Sequence, residues 1–174
     1  MKLPAAKRVA GMGLLMALAL ALSFLEGLVP AVAGLPPGVK LGLSNVVTMF
    51  CLFYMGTPFA LVTVVLKAGF AFIIRGFTAG LLSFAGGLTA LAVMVSLRFI
   101  SKSRASLGFS SIMGAVTHNA GQLIAAYLLI GSGAVFYYAP VLLLAGLVMG
   151  AVTGTVCKTV LPYLKKLSTQ GDAA

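Results

Sequence analysis

The chain offers few side chains that can do covalent chemistry. Its 174 residues include two carboxylates, Glu26 and Asp172, one imidazole, His118, and two thiols, Cys51 and Cys157. A mechanism built on paired carboxylates needs two acids side by side, and these two stand near opposite ends of the sequence. One histidine and two cysteines do not make a multi-ligand zinc site. Both thiols sit in apolar surroundings and read as inert packing residues. The side chains that remain suit recognition rather than bond making: Glu26, Lys40, Asn45, Lys67, Arg75, and the run His118, Asn119, Gln122.

The elements that must hold these groups are membrane spans. Hydrophobic residues make up 61% of the chain and charged ones 8%, against roughly 45–50% and about 25% in soluble domains. The net charge of +10 does not point to nucleic acid, because the bases are thinly spread between long apolar runs and form no stripe to follow a phosphate backbone. A crossing helix needs about 20 mostly apolar residues. Six runs qualify or nearly so: 9–29, 41–56, 58–76, 79–100, 107–130 and 135–161. The second is short and separated from the third only by Gly56-Thr57-Pro58, so it is either half of a hairpin or a helix that does not fully cross. The expected fold is an all-α integral membrane bundle of about six helices in one domain, with a core over about 9–164 and short tails.

Charge distribution sets the orientation. With the N-terminus in the cytoplasm, Lys2, Lys7, Arg8, Arg98, Lys102, Arg104, Lys158, Lys165 and Lys166 share one side, and Lys40 and Arg75 take the other. The positive-inside rule expects that asymmetry, with an even number of crossings and both termini cytoplasmic. A second reading of the N-terminus is a secretory signal peptide cleaved near Ala31-Val32-Ala33, against which its apolar stretch runs longer than the usual ~7–15 residues.

Ionisable groups inside a bilayer are functional candidates by default. Lys67 lies nine residues beyond Pro58, roughly 13 Å into its span and near the midplane. His118 falls about halfway along the fifth span, and Gln122, four residues on, shares its helix face, with Asn119 adjoining. Glu26 ends the first span; Lys40, Ser44 and Asn45 belong to the outer loop and the start of the second. These polar groups gather between the midplane and the outside, which outlines a pocket opening outward. Glu26, Lys40, Lys67 and Arg75 sum to +2, so an anionic ligand would complete the balance. Alternatives stand beside each assignment: Arg75 and Lys40 either edge the pocket or snorkel to headgroups, Glu26 either serves it or neutralises Lys67 or Arg75, and the amides and imidazole either touch ligand or join helices.

Small residues form two stripes. Gly146, Gly150 and Gly154 recur every four residues on the last span, and Gly13, Ala17 and Ala21 do so on the first. Such faces let helix backbones approach closely. The glycine stripe suits packing within the bundle; the Ala17/Ala21 stripe suits docking on another membrane protein.

Longer motifs then come into view: Pro37-Gly38-Val39-Lys40-Leu41-Gly42-Leu43-Ser44-Asn45, Glu26 with Pro30, Ser83-Phe84-Ala85-Gly86-Gly87, and Gly114-Ala115-Val116-Thr117-His118-Asn119-Ala120-Gly121-Gln122. In these the chain resembles the membrane family named heptaprenyl diphosphate synthase component I, also called the Gx transporter family, over roughly residues 10–162. That family is similar to the substrate-binding S components of energy-coupling factor (ECF) vitamin transporters, small bundles of six helices. The resemblance implies a coupling subunit docked on an A-x-x-x-A face of the first helix, here Ala17 and Ala21, and two ATPases as energy source. The synthase name implies instead an accessory role beside the catalytic subunit of a polyprenyl diphosphate synthase. Prenyl elongation holds diphosphate through Mg²⁺ on aspartate-rich motifs, and the only aspartate here is Asp172. The absence of a G-x-x-x-x-G-K-[ST] loop assigns ATP hydrolysis to a partner. The expected protein is therefore no enzyme by itself, needs no metal or cofactor, and captures a small anionic molecule; flavin-like, thiamine-like, quinone-precursor and isoprenoid-phosphate ligands all satisfy the charge argument.

Overall fold

A computed structural model describes residues 5–33, 43–100 and 106–170, with side chains over 10–28, 44–100 and 106–160. Helices α1 (Ala5–Ala33), α2 (Leu43–Phe50), α3 (Thr57–Arg75), α4 (Phe77–Ile100), α5 (Leu107–Ile130) and α6 (Ala139–Gln170) account for nearly all of them. A π-helical turn, Cys51–Met55, extends α2, and a 3₁₀ segment, Gly133–Tyr138, precedes α6. There is no strand among the described residues. The all-α bundle expected from the apolar runs is the observed fold.

Four segments are long and apolar enough to cross a membrane: Ala10–Leu28, Thr57–Arg75, Phe77–Ile100 and Gly133–Val160. Helix α5 has the length, 24 residues, but its core-facing side is polar. The apolar helix Ser44–Met55 rises only about 18 Å, short of the ~30 Å hydrocarbon layer. Its backbone is enclosed by other helices instead: Val47, Thr48, Met49, Cys51 and Leu52 are all buried, and α2 packs on α1, α3 and α6. A short helix of this kind is tolerated at membrane depth because neighbouring helices surround it.

Two single-residue turns fix the hairpins that carry the polar groups. Gly56 (φ +104°) reverses the chain between the π turn and α3, its N–H donating to Cys51 O at 2.8 Å, and Gly76 (φ +87°) does the same between α3 and α4, donating to Phe72 O at 3.0 Å. Both conformations lie where a Cβ is strained. Every consecutive pair of helices runs antiparallel. Phe72 meets Gly80 and Val64 meets Gly87; Met94 meets Gly114; Ile112 meets Gly150 and Gly108 meets Gly154. The start of α1 and the end of α6 therefore share one end of the bundle, called here the near end, and Glu26, Arg75 and Tyr127 lie toward the far end.

The glycine stripe of α6 is an internal seam. A Cβ on Gly150 would lie 2.6 Å from Ile112 Cα, one on Gly154 2.8 Å from Gly108 Cα, and one on Gly146 3.2 Å from Val116 Cα. Only hydrogen fits, and the backbones of α5 and α6 touch. The stripe on α1 is the opposite case: Gly13, Ala17 and Ala21 are exposed, and nothing lies within 4 Å of a Cβ placed on Gly13.

Candidate functional site

The polar groups divide into two sets by helix. On the α1–α3 side, Glu26 is 1% exposed, and its two oxygens accept from the Ser44 backbone N–H at 2.9 Å and the Ser44 hydroxyl at 2.8 Å. Ser44 lies in the first turn of α2, where unpaired backbone N–H groups and the helix dipole favour an anion. Glu26 is thus the carboxylate that seats the start of α2 against α1. Lys67, 5% exposed, projects from α3 and donates to Asn45 Oδ1 at 3.1 Å. The sequence leaves Glu26 as a counterion for Lys67 or Arg75; in the structure the hydrogen-bond partners of Glu26 and Lys67 are the neutral Ser44 and Asn45.

Arg75 ends α3 in an exposed position and lays its guanidinium along α1, where a Cβ on Gly27 would come 2.9 Å from Nη1. It covers the α1 backbone beside Glu26. Lys40, the remaining basic residue of the expected set, lies outside the described residues.

On the α4–α6 side the groups are neutral. Asn119 donates from Nδ2 to Leu142 O at 2.6 Å, tying α5 to α6. His118 is buried with Cε1 against Gly86, and the Gln122 stem passes the same glycine: a Cβ there would lie 2.7 Å from Gln122 Cγ and 2.8 Å from His118 O. Gly86 is the gap in α4 through which α5 sets two polar side chains inward. Gln122 is 4% exposed, and neither Nε2 nor Oε1 has a hydrogen-bond partner. An unsatisfied buried polar group costs about 1–3 kcal/mol, so this amide is a point where the fold gives up stability.

The two sets stand at one height. The contacts of Phe72 with Gly80 and Val64 with Gly87 place Lys67 level with the segment Ser83–Ala85 of α4. The contacts of Gly86 with His118 and Gln122 carry that level on to α5. Lys67, the buried Ser83 and Gln122 thus follow one another on α3, α4 and α5 within the far half of the bundle. A cavity of about 60 Å³ lies elsewhere, between α1, α2 and α6, and is lined by apolar side chains such as Leu15, Leu18, Val47, Phe50 and Val160. It has none of the polar groups and is not the outlined pocket.

Three interactions were not anticipated from the sequence. Arg98 Nη1 donates to Leu52 O at 2.7 Å and holds the π turn, with its guanidinium 5.9 Å from the Phe53 ring centroid. The Thr89 hydroxyl reaches Thr117 O at 3.0 Å across α4 and α5. Thr63, fully buried, reaches Cys51 Sγ at 3.5 Å. Hydroxyls on apolar helices carry no spacing signal, because they are equally at home bonding their own helix, as Thr89 also does to Ala85 O.

A family profile described as heptaprenyl diphosphate synthase component I matches residues 15–160. No curated protein and no solved structure matches the chain. The match takes in every described polar group of both sets, and the chain belongs to the heptaprenyl diphosphate synthase component I family.

Proposed function

We propose that this chain is the substrate-capturing membrane subunit of an ECF-type importer, taking a small anionic molecule from the outer side, with both termini in the cytoplasm. The far end of the bundle then faces outward, and Lys67, Gln122, His118, Asn119, Asn45, Arg75, Lys40 and Glu26 are the residues around the ligand. The observation that carries this reading is Lys67: a lysine 5% exposed at mid-helix whose hydrogen-bond partner, Asn45, is neutral. A buried ammonium without an ion pair is costly in a membrane, and an anion arriving at the same level removes that cost. The bare Gly13, Ala17 and Ala21 face supports the second half of the reading, a coupling subunit docked on α1, with ATP hydrolysis by partner ATPases.

The test is ligand retention. The purified protein is denatured and the small molecules it releases are identified by mass spectrometry. Wild type should release an anion in near-stoichiometric amount and Lys67→Met should insert normally yet release about tenfold less or none. Equal release from both removes Lys67 from the site. Reporter fusions at residue 174 and after Ser101 should read as cytoplasmic, and one near Pro36 as external.

The family description supports a second reading, a membrane accessory component of a polyprenyl diphosphate synthase. Two carboxylates in the whole chain leave the Mg²⁺-diphosphate chemistry of that reaction to the other subunit. A pull-down that recovers a soluble prenyl synthase and no membrane coupling subunit would favour it.

A further inference from the structure

Among the polar groups at the level of Lys67, most are already committed. Glu26 is held by Ser44, Lys67 by Asn45, and Asn119 by Leu142 O. The Gln122 amide stands apart from these, buried with both of its polar atoms unpartnered. Its stem lies against Gly86, in space that any side chain on α4 at that position would take.

A primary amide presents a donor, Nε2–H, beside an acceptor, Oε1, in one plane. Its best complement is a planar edge with an acceptor beside a donor, the arrangement by which glutamine or asparagine reads the N7 and N6 edge of adenine with two hydrogen bonds. We infer that Gln122 selects the ligand through such an edge: a lactam, an imide or an aminopyrimidine ring. This deepens the proposed function and rests on it, since it assumes that the polar level of the bundle takes a ligand. Lys67 draws the charge, and Gln122 reads the ring.

The inference explains why a glutamine stands where a leucine of similar volume would be more stable. A site built to bond a polar edge rejects analogues that lack it, because the protein's own groups are then left unpaired. It also makes the discrimination depend on hydrogen bonding rather than on shape.

The experiment compares matched probes by thermal shift of the purified full-length protein in detergent. Uracil, 2-pyridone and 2-aminopyrimidine carry the edge; 1,3-dimethyluracil, N-methyl-2-pyridone and 2-(dimethylamino)pyrimidine have it blocked. At least one intact probe should raise the melting temperature of wild type, and its blocked counterpart should not. Gln122→Leu should melt no lower than wild type without probe and should lose the preference, with apparent affinity for the intact probe down about tenfold or more. The inference is overturned if no intact probe outperforms its blocked counterpart, if Gln122→Leu keeps the preference, or if Gln122→Leu alone lowers the melting temperature, which would mark the amide as structural. Release of the same small molecule from wild type and Gln122→Leu on denaturation would sink the Gln122 reading while leaving substrate capture standing. Release from neither wild type nor variant would sink both.

Discussion

The α1–α3 side and the α4–α6 side of the bundle both bury polar side chains at the same height, but they use them differently. The first holds the charges, Glu26 and Lys67, and gives each a hydrogen-bonded partner one helix away. The second holds neutral groups, and one of them, Gln122, is left with nothing. In a membrane the charged groups are the ones that cannot be left alone, so the fold closes on them first. A neutral amide is cheap enough to hold open for a ligand. On the proposed function, the charged set would give the site its position and its attraction for an anion, and the neutral set its choice.

This division predicts a ranking of substitutions, read as unfolding free energy in mild detergent. Glu26→Ala should be the worst, costing about 3 kcal/mol or more, because it removes two hydrogen bonds to a charged group worth roughly 1.5–3 kcal/mol each. Glu26→Gln should fall between, since an amide has one acceptor oxygen for two donors. A cost for Glu26→Ala below that of Lys67→Met would contradict the seating role of Glu26.

Gly150→Val should come next, at about 1–3 kcal/mol, as a side chain is forced on the Ile112 backbone. Ala21→Val, on the exposed stripe of α1, should stay within about 0.5 kcal/mol. The two stripes have the same four-residue repeat, so equal costs would mean that both are internal seams.

Lys67→Met should cost less than Glu26→Ala, at most about 1 kcal/mol, because the donor that Asn45 Oδ1 loses is offset by removal of a buried ammonium that has no ion pair. Adding Asn45→Leu should recover most of that loss, and the coupling read from this double-mutant cycle should exceed the one between Lys67→Met and Glu26→Gln. The reverse order would make Glu26 the true counterion. Gln122→Leu is the smallest effect, neutral or stabilising by up to about 1 kcal/mol, because it removes an unsatisfied amide.

Much of this geometry can be read from the sequence by reflection. Residues 45 and 67 are equidistant from Gly56, residues 72 and 80 from Gly76, residues 86 and 122 from 104, and residues 112 and 150 from Gly131. Each pair meets in the structure, because a chain of antiparallel helical hairpins with short turns pairs residues at equal distances from the turn. The partner of Lys67 was therefore legible as Asn45. Charge alone leaves Glu26 neutralising either Lys67 or Arg75, because charge does not say which helix lies alongside. Contacts between helices distant in sequence, such as Cys157 with Val46 O across α6 and α2, follow no reflection and were not legible. The enclosure of the short α2 was not legible either: periodicity reports a buried face, and α2 is buried nearly all round.

The central claim is that this chain captures a substrate for a membrane coupling subunit docked on the bare stripe of α1. It is tested most directly by affinity purification from native membranes, comparing wild type with the Ala17→Trp/Ala21→Trp variant. The account predicts that wild type brings down an integral membrane subunit with two ATPases, and that the variant inserts and melts as wild type does but loses all three, since bulky side chains hold the helix backbones apart. Undiminished recovery of those subunits by the variant would contradict the docking face, and recovery of only a soluble prenyl synthase by wild type would contradict the transporter reading itself.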